Sequence, residues 1–242
     1  MTRLLISVKN VEEALHAMYA GISIVDLKDP GTGALGALPV HEAEKILAVL
    51  DKQVLTSATV GEGHGNIEAL IADIKRYADI GVDIVKIAVT ELFMNQQFFA
   101  EMQQLTLQGI KLVAVFFADK LMDLSLITKM QTAGFYGAMV DTQQKWQPIV
   151  ELQSMHELKK FTEICKQHHL ISGLAGSVGL QHLTSLITLN PDFIGMRGGI
   201  CDAGNRTLSL SQKKVEAVNA MLLKYNSDIG CGSQSHATSL QI

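Results

Sequence analysis

Ile24-Val25-Asp26-Leu27-Lys28-Asp29-Pro30-Gly31-Thr32-Gly33-Ala34-Leu35-Gly36 begins as an apolar strand, turns charged towards its end and breaks into a glycine-rich loop. Side chains alternate along a strand, so Ile24, Asp26 and Lys28 share one face while Val25 and Leu27 take the other. A carboxylate and an ammonium are thereby paired on one side of a strand whose other side suits a covering helix. Pro30 has no N–H and biases Asp29 towards an extended conformation, so pairing should stop at Lys28 and leave its amine at a rim. Alone, the stretch fits a structural ion pair as well as a functional site, because partly buried charges usually pair.

Outward from it, short β-rich runs alternate with segments of helical period. The predicted strands are Arg3 to Val8, Ile24 to Lys28, Val54 to Val60, Ile84 to Val89, Lys111 to Ala118, Gly137 to Thr142, Leu170 to Gly176 and Phe193 to Gly198. The predicted helices are Val11 to Ala20, Pro39 to Leu50, Asn66 to Ile80, Asn95 to Leu107, Leu124 to Ala133, Leu152 to His169, Leu180 to Leu189 and Ser211 to Leu223. Gly21, Gly81, Gly109 and Gly134 stand where helices should end in a left-handed cap, and Asn66 and Ser211 suit N-caps. Eight such units predict an α/β fold, a single (β/α)8 TIM barrel over residues 1–225, better than an open doubly wound sheet. A dinucleotide fold loses its main signature, since no Gly-x-Gly-x-x-Gly follows the first strand. Residues 226–242 lose helical period, turn small and polar, and are expected to form a flexible tail.

Composition narrows the function classes. The 242 residues carry a net charge of −4 and 5% aromatics, which gives nucleic acid neither a general attraction nor stacking platforms. No uninterrupted apolar run reaches the length of a membrane span, and the amino terminus lacks a signal peptide's basic start and hydrophobic block, so a cytoplasmic protein without a membrane partner is expected. Cys165, Cys201 and Cys231 are odd in number and widely spaced, which predicts reduced thiols and no zinc site. No metal or other cofactor is called for. The outward helix faces of such barrels often pair with other subunits, so a homo-oligomer is expected.

In a barrel, active residues belong at the carboxyl ends of strands. Lys86 shares a face with Ile84 and Ala88 against branched Val85, Ile87 and Val89, and so should point inward. Asp141 and Arg197 end the sixth and eighth strands, so Asp26 or Lys28, Lys86, Asp141 and Arg197 can converge in one layer. An ordinary lysine is neutral to only about 0.04% at pH 7, and a second cation or desolvation can raise that fraction about a thousandfold. Two lysines in one pocket therefore point to Schiff-base chemistry on a carbonyl, with Asp26 and Asp141 as proton carriers or as counter-ions. The loops Gly173-Leu174-Ala175-Gly176-Ser177-Val178-Gly179 and Arg197-Gly198-Gly199 follow the seventh and eighth strands, where this fold repeatedly binds phosphate; Gly176, Ser177, Arg197, Gly198 and Gly199 are the expected contacts. His64, in Gly61-Glu62-Gly63-His64-Gly65, sits in an expected mobile rim loop, as a substrate contact or a solvated histidine. His168-His169 suits a helix end rather than a metal.

Ser7-Val8 with Glu12, Glu13 and Ala14, then Val25-Asp26-Leu27-Lys28-Asp29-Pro30 and Gly33-Ala34-Leu35-Gly36-Ala37, resembles the (5-formylfuran-3-yl)methyl phosphate synthases of methanofuran biosynthesis, the MfnB family. The resemblance implies a lyase that condenses two molecules of glyceraldehyde 3-phosphate, one isomerising to dihydroxyacetone phosphate, with loss of phosphate and water. It implies Lys28 as the Schiff-base lysine, Lys86 as the proton acceptor, and Asp26, Asp141 and Lys145 as supporting residues. After Lys145 the chain has Trp146-Gln147-Pro148 where the family favours a small or acidic residue and glycine, so a different loop course is expected there. The same lysines and phosphate loops also fit a class I aldolase or isomerase of another phosphorylated sugar, or a non-catalytic phosphosugar-binding protein.

Overall fold

Eight parallel strands close into one barrel in the computed structural model, which describes residues 1–232. They are β1 (Arg3–Val8), β2 (Ile24–Leu27), β3 (Leu55–Thr59), β4 (Ile84–Ala88), β5 (Lys111–Phe117), β6 (Gly137–Asp141), β7 (Ile171–Leu174) and β8 (Phe193–Met196). Each pairs with the next in chain order, and β1 closes on β8 with Arg3 opposite Phe193. The helices are α1 (Val11–Tyr19), α2 (Val40–Leu50), α3 (Ile67–Asp79), α4 (Gln96–Leu107), α5 (Leu126–Thr132), α6 (Ile149–Leu152), α7 (Met155–Gln167), α8 (Leu180–Ile187) and α9 (Gln212–Gly232). The architecture is the predicted single (β/α)8 barrel.

Local chemistry sets the boundaries. Asn10 and Asn66 cap α1 and α3 by accepting from the N–H groups of Glu13 and Ala69. Gly21, Gly81, Gly109 and Gly134 follow their helices with φ of +73°, +96°, +91° and +74°, the left-handed turn that glycine takes without a Cβ penalty. The Lys28 N–H still reaches the Val8 carbonyl at 3.0 Å, and β2 pairing stops before Pro30. The predicted helix 152–169 is α7, which starts only at Met155 because Ser154 and Glu157 form a capping box there. Before it, Pro148 opens the single turn α6. The last helix runs past the predicted Leu223 to Gly232, while residues 233–242 of the expected tail lie outside the described residues. No described helix is long and apolar enough to cross a membrane.

Alternation along the strands builds two apolar layers. Val25 and Leu27, Val85 and Ile87, and Leu112, Ala114 and Phe116 pack outward with the helices. Ile24, Ile84, Val113, Val115 and Phe193 fill the barrel interior. Ile24, Ile84 and Phe193 begin their strands, so the amino-terminal end of the barrel is an apolar plug. Gly173 makes room for it: a Cβ there would sit 2.2 Å from the Phe193 ring. Each large apolar side chain so buried contributes about 1.5–3 kcal/mol. The carboxyl ends forgo that gain, since Asp26, Lys86 and Asp141 are buried there with Ser7 and Ser57. Such groups need partners.

Candidate active site

Strand register assembles the first cluster. Ser7 of β1 and Ser57 of β3 lie opposite Asp26 of β2, one on each side. Their hydroxyls donate to the Asp26 carboxylate at 2.8 and 2.7 Å. Lys86 of β4 lies 2.7 Å from the Oδ1 of Asp26, with its side chain only 3% exposed. Burial pulls the Lys86 ammonium below the usual lysine range; Asp26 opposes the shift and the charge of Lys28 adds to it. The result is a fixed amine that burial drives towards neutrality.

A second cluster gathers on Asp141, the last residue of β6. Its Oδ2 lies 3.3 Å from the Lys28 Nζ, and its Oδ1 accepts from the Lys145 Nζ at 2.5 Å and from the Thr142 N–H at 2.7 Å. Burial works to raise the Asp141 carboxyl, but the ammonium groups of Lys145 and Lys28 more than reverse it and hold it well below the usual carboxylate range. Lys145 is lowered to about 8, by burial first, against the pull of Asp141 and with repulsion from Lys28 and Arg206. The Trp146-Gln147-Pro148 departure leaves Lys145 in reach of the site: Trp146 is 74% exposed while Lys145 turns inward to Asp141.

Both clusters line one cleft of about 310 Å³ at the carboxyl ends of the strands, together with Gly176, Ser177, Gly198 and Gly199. The two glycine loops meet backbone to backbone, since a Cβ on Gly199 would fall 2.5 Å from the Val178 carbonyl oxygen. Ser177 adopts φ +48° and donates its hydroxyl to the Lys145 carbonyl, which ties the β7 loop to the β6 loop. Oxygen-rich anions fit such a rim of small residues and approachable backbone.

Arg197, expected among the phosphate contacts, has a different job. Its Nε donates to the Arg206 carbonyl and its Nη1 to the Ser7 carbonyl, at 2.6 and 2.7 Å. The remaining donors go to both carboxylate oxygens of Glu13, at 2.8 and 3.2 Å, and to the Leu208 carbonyl at 3.3 Å. A guanidinium has five N–H donors, and all are committed within the protein. His64 likewise turns away from the cleft, 3.0 Å from the Asp73 carboxylate on α3. Its loop neighbour Glu62 accepts from the Leu35 N–H and from Gln143, joining the loops after β2, β3 and β6. His168 meets Gln131 at 2.9 Å, and no described cluster of His, Cys, Asp and Glu is arranged for a metal. Cys165 and Cys201 are buried free thiols.

Ser57, which supports Asp26 from behind the cleft, and Arg206, which lines it, went unread in the sequence. Ser57 carries the inward alternation of β3, but its closeness to Asp26 depends on register. Arg206 lies beyond the β8 glycine loop, in a stretch without period, and gave no signal.

The model of the 4-HFC-P synthase family matches residues 4–219. A Methylorubrum extorquens protein provisionally named a (5-formylfuran-3-yl)methyl phosphate synthase is 40% identical over 223 residues, covering 90% of this chain and 91% of the relative. The (5-formylfuran-3-yl)methyl phosphate synthase of Methanosarcina acetivorans is 31% identical, covering 90% and 98%. Among solved structures, phosphoribosyl anthranilate isomerase from Thermus thermophilus superposes with a TM-score of 0.65 at 14% identity, over 93% of this chain and 100% of that one. The 3-hexulose-6-phosphate synthase from Salmonella typhimurium gives 0.62 at 15% identity, over 90% and 98%. At such identities the structural likeness speaks for the barrel alone.

Proposed function

The chain belongs to the 4-HFC-P synthase family, and from that membership we propose that it makes (5-formylfuran-3-yl)methyl phosphate by joining two molecules of glyceraldehyde 3-phosphate through a Schiff base on Lys28. The observation that carries this reading is the pair of buried lysines in one cleft, each held on its own carboxylate. Lys28 first sheds a proton. Asp141 touches both Lys28 and Lys145, so the proton passes to Lys145, of which roughly a tenth is neutral at pH 7 if it titrates at about 8. The Lys28 amine then adds to the triose carbonyl, and loss of water leaves an iminium.

That iminium makes the neighbouring C–H acidic, and Lys86, in the neutral fraction that its burial favours, takes the proton to leave an enamine. Attack of the enamine carbon on the aldehyde of the second triose forms the carbon–carbon bond, after which phosphate and water leave and hydrolysis frees Lys28. One of the trioses isomerises to dihydroxyacetone phosphate beforehand. Asp26, locked by Ser7 and Ser57, keeps Lys86 fixed throughout. The glycine loops hold a phosphate so that a single carbon meets the amine.

Lys28→Arg tests this reading, because a guanidinium keeps the charge but cannot form the imine. With glyceraldehyde 3-phosphate, the unaltered protein is expected to give furan absorbance and a borohydride-trapped adduct at Lys28 by mass spectrometry. The variant is expected to give neither. Turnover at the parent rate in Lys28→Arg removes Lys28 from the mechanism.

A further inference from the structure

We propose that Arg206 is the cation that grips the phosphate of the incoming triose, and that the buried Glu13–Arg197 pair exists to hold the loop that presents it. The proposal rests on the reading of the substrate as a phosphorylated triose. Lys28 and Lys145 sit on Asp141, Lys86 sits on Asp26, and Arg197 sits on Glu13. Arg206 lines the same cleft, and among the described residues it has no carboxylate within ion-pair distance. Its one described side-chain bond is from Nη2 to the Gly33 carbonyl at 2.9 Å. Most of its N–H donors are therefore uncommitted, in contrast to those of Arg197.

Position supports the assignment. A Cβ on Gly198 would lie 3.7 Å from the Arg206 Cβ, so Arg206 springs from beside the glycine loop, and its tip reaches the loop after β2. Neither Gly176-Ser177-Val178-Gly179 nor Gly198-Gly199 carries a cationic side chain. The loops offer backbone N–H groups and room; Arg206 adds the charge and a planar fork that matches phosphate oxygens two at a time. With every group in its charged form, Lys28, Lys86, Lys145, Arg197 and Arg206 line the cleft with Asp26 and Asp141; Glu13 offsets Arg197, which leaves an excess of two positive charges suited to a phosphate dianion.

The backbone that carries Arg206 is pinned from below. Arg197 donates to the carbonyls of Arg206 and Leu208, and the Lys9 Nζ donates to the carbonyl between them, on Thr207, at 2.5 Å. Burying an arginine and a glutamate together is costly and commonly no better than an apolar pair. Here the pair delivers two hydrogen bonds to a loop that has little regular structure of its own. The loop is held while the Arg206 side chain keeps a single backbone partner that phosphate can replace.

The test uses sn-glycerol 3-phosphate, which carries the phosphate but no carbonyl and cannot form an imine. Calorimetric titration of the full chain is expected to show binding, weakened about tenfold or more in Arg206→Ala and partly restored in Arg206→Lys, as for loss of one charge-assisted contact. Thermal melting should match the parent; if Arg206→Ala melts lower, Arg206→Gln repeats the comparison. In turnover the same substitution raises KM for glyceraldehyde 3-phosphate by a similar factor. Binding in the variants within twofold of the parent, or no binding by the parent, overturns the proposal. If the parent makes no furan product while Arg206→Ala still loses glycerol 3-phosphate, the reading of the reaction fails and the assignment of Arg206 stands.

Discussion

Replacing Asp26 with Asn removes one charge and almost no volume, and the structure fixes what that does. The Lys86 ammonium, 3% exposed, loses the only carboxylate within ion-pair distance of it among the described residues. Breaking one side of a buried pair costs about 3–5 kcal/mol. Lys86 can escape by giving up its proton, and against an unfolded lysine near 10.4 that escape costs about 4.6 kcal/mol at pH 7. The two routes agree, so Asp26→Asn should lose about 3–5 kcal/mol, a large share of the roughly 5–15 kcal/mol that holds a domain together. Urea denaturation followed by far-UV circular dichroism measures it. The neutral route becomes cheaper by about 1.4 kcal/mol per pH unit, so the loss should shrink between pH 7 and 9. Asp26→Asn combined with Lys86→Met should recover more than half of the loss, because no unpaired charge remains. A single variant within about 1 kcal/mol of the parent, or a double variant no better than the single, would refute the claim that Asp26 and Lys86 form a charged pair.

Gly199→Ala drives a Cβ to 2.5 Å from the Val178 oxygen and 2.9 Å from the Gly179 Cα, so the two backbones must part. A fall of several degrees in Tm and a raised KM are expected, whereas Gly63→Ala, with nothing within 4 Å of the added atom, should leave both unchanged. If Lys145 accepts the proton from Lys28, the rate of imine formation should climb with pH and level off above about 8. The sign for stability is the same: the folded Lys145 titrates at about 8 and the unfolded one near 10.4, so the unfolded chain binds more protons between them and stability rises with pH across that window. Lys145→Met should flatten both profiles.

The alternation in Ile24-Val25-Asp26-Leu27-Lys28 placed Asp26 on the inward face, and the same reasoning placed Lys86, because period along a strand is a property of the chain itself. The count of strand and helix units and the glycine stops gave the barrel for the same reason. Which lysine meets which carboxylate was beyond local reading. Lys28 pairs with Asp141 across the barrel, not with Asp26 two residues away, because Ser7, Ser57 and Lys86 already occupy Asp26. The arginines make the point again: Arg197 stands at the strand end that the sequence marks, yet Glu13 and three carbonyls take its donors, and Arg206 turns to the cleft from a loop without any period. Side-chain direction on a regular element follows from spacing alone, while the pairing of charges depends on strand register and closure, which bring together residues more than a hundred positions apart.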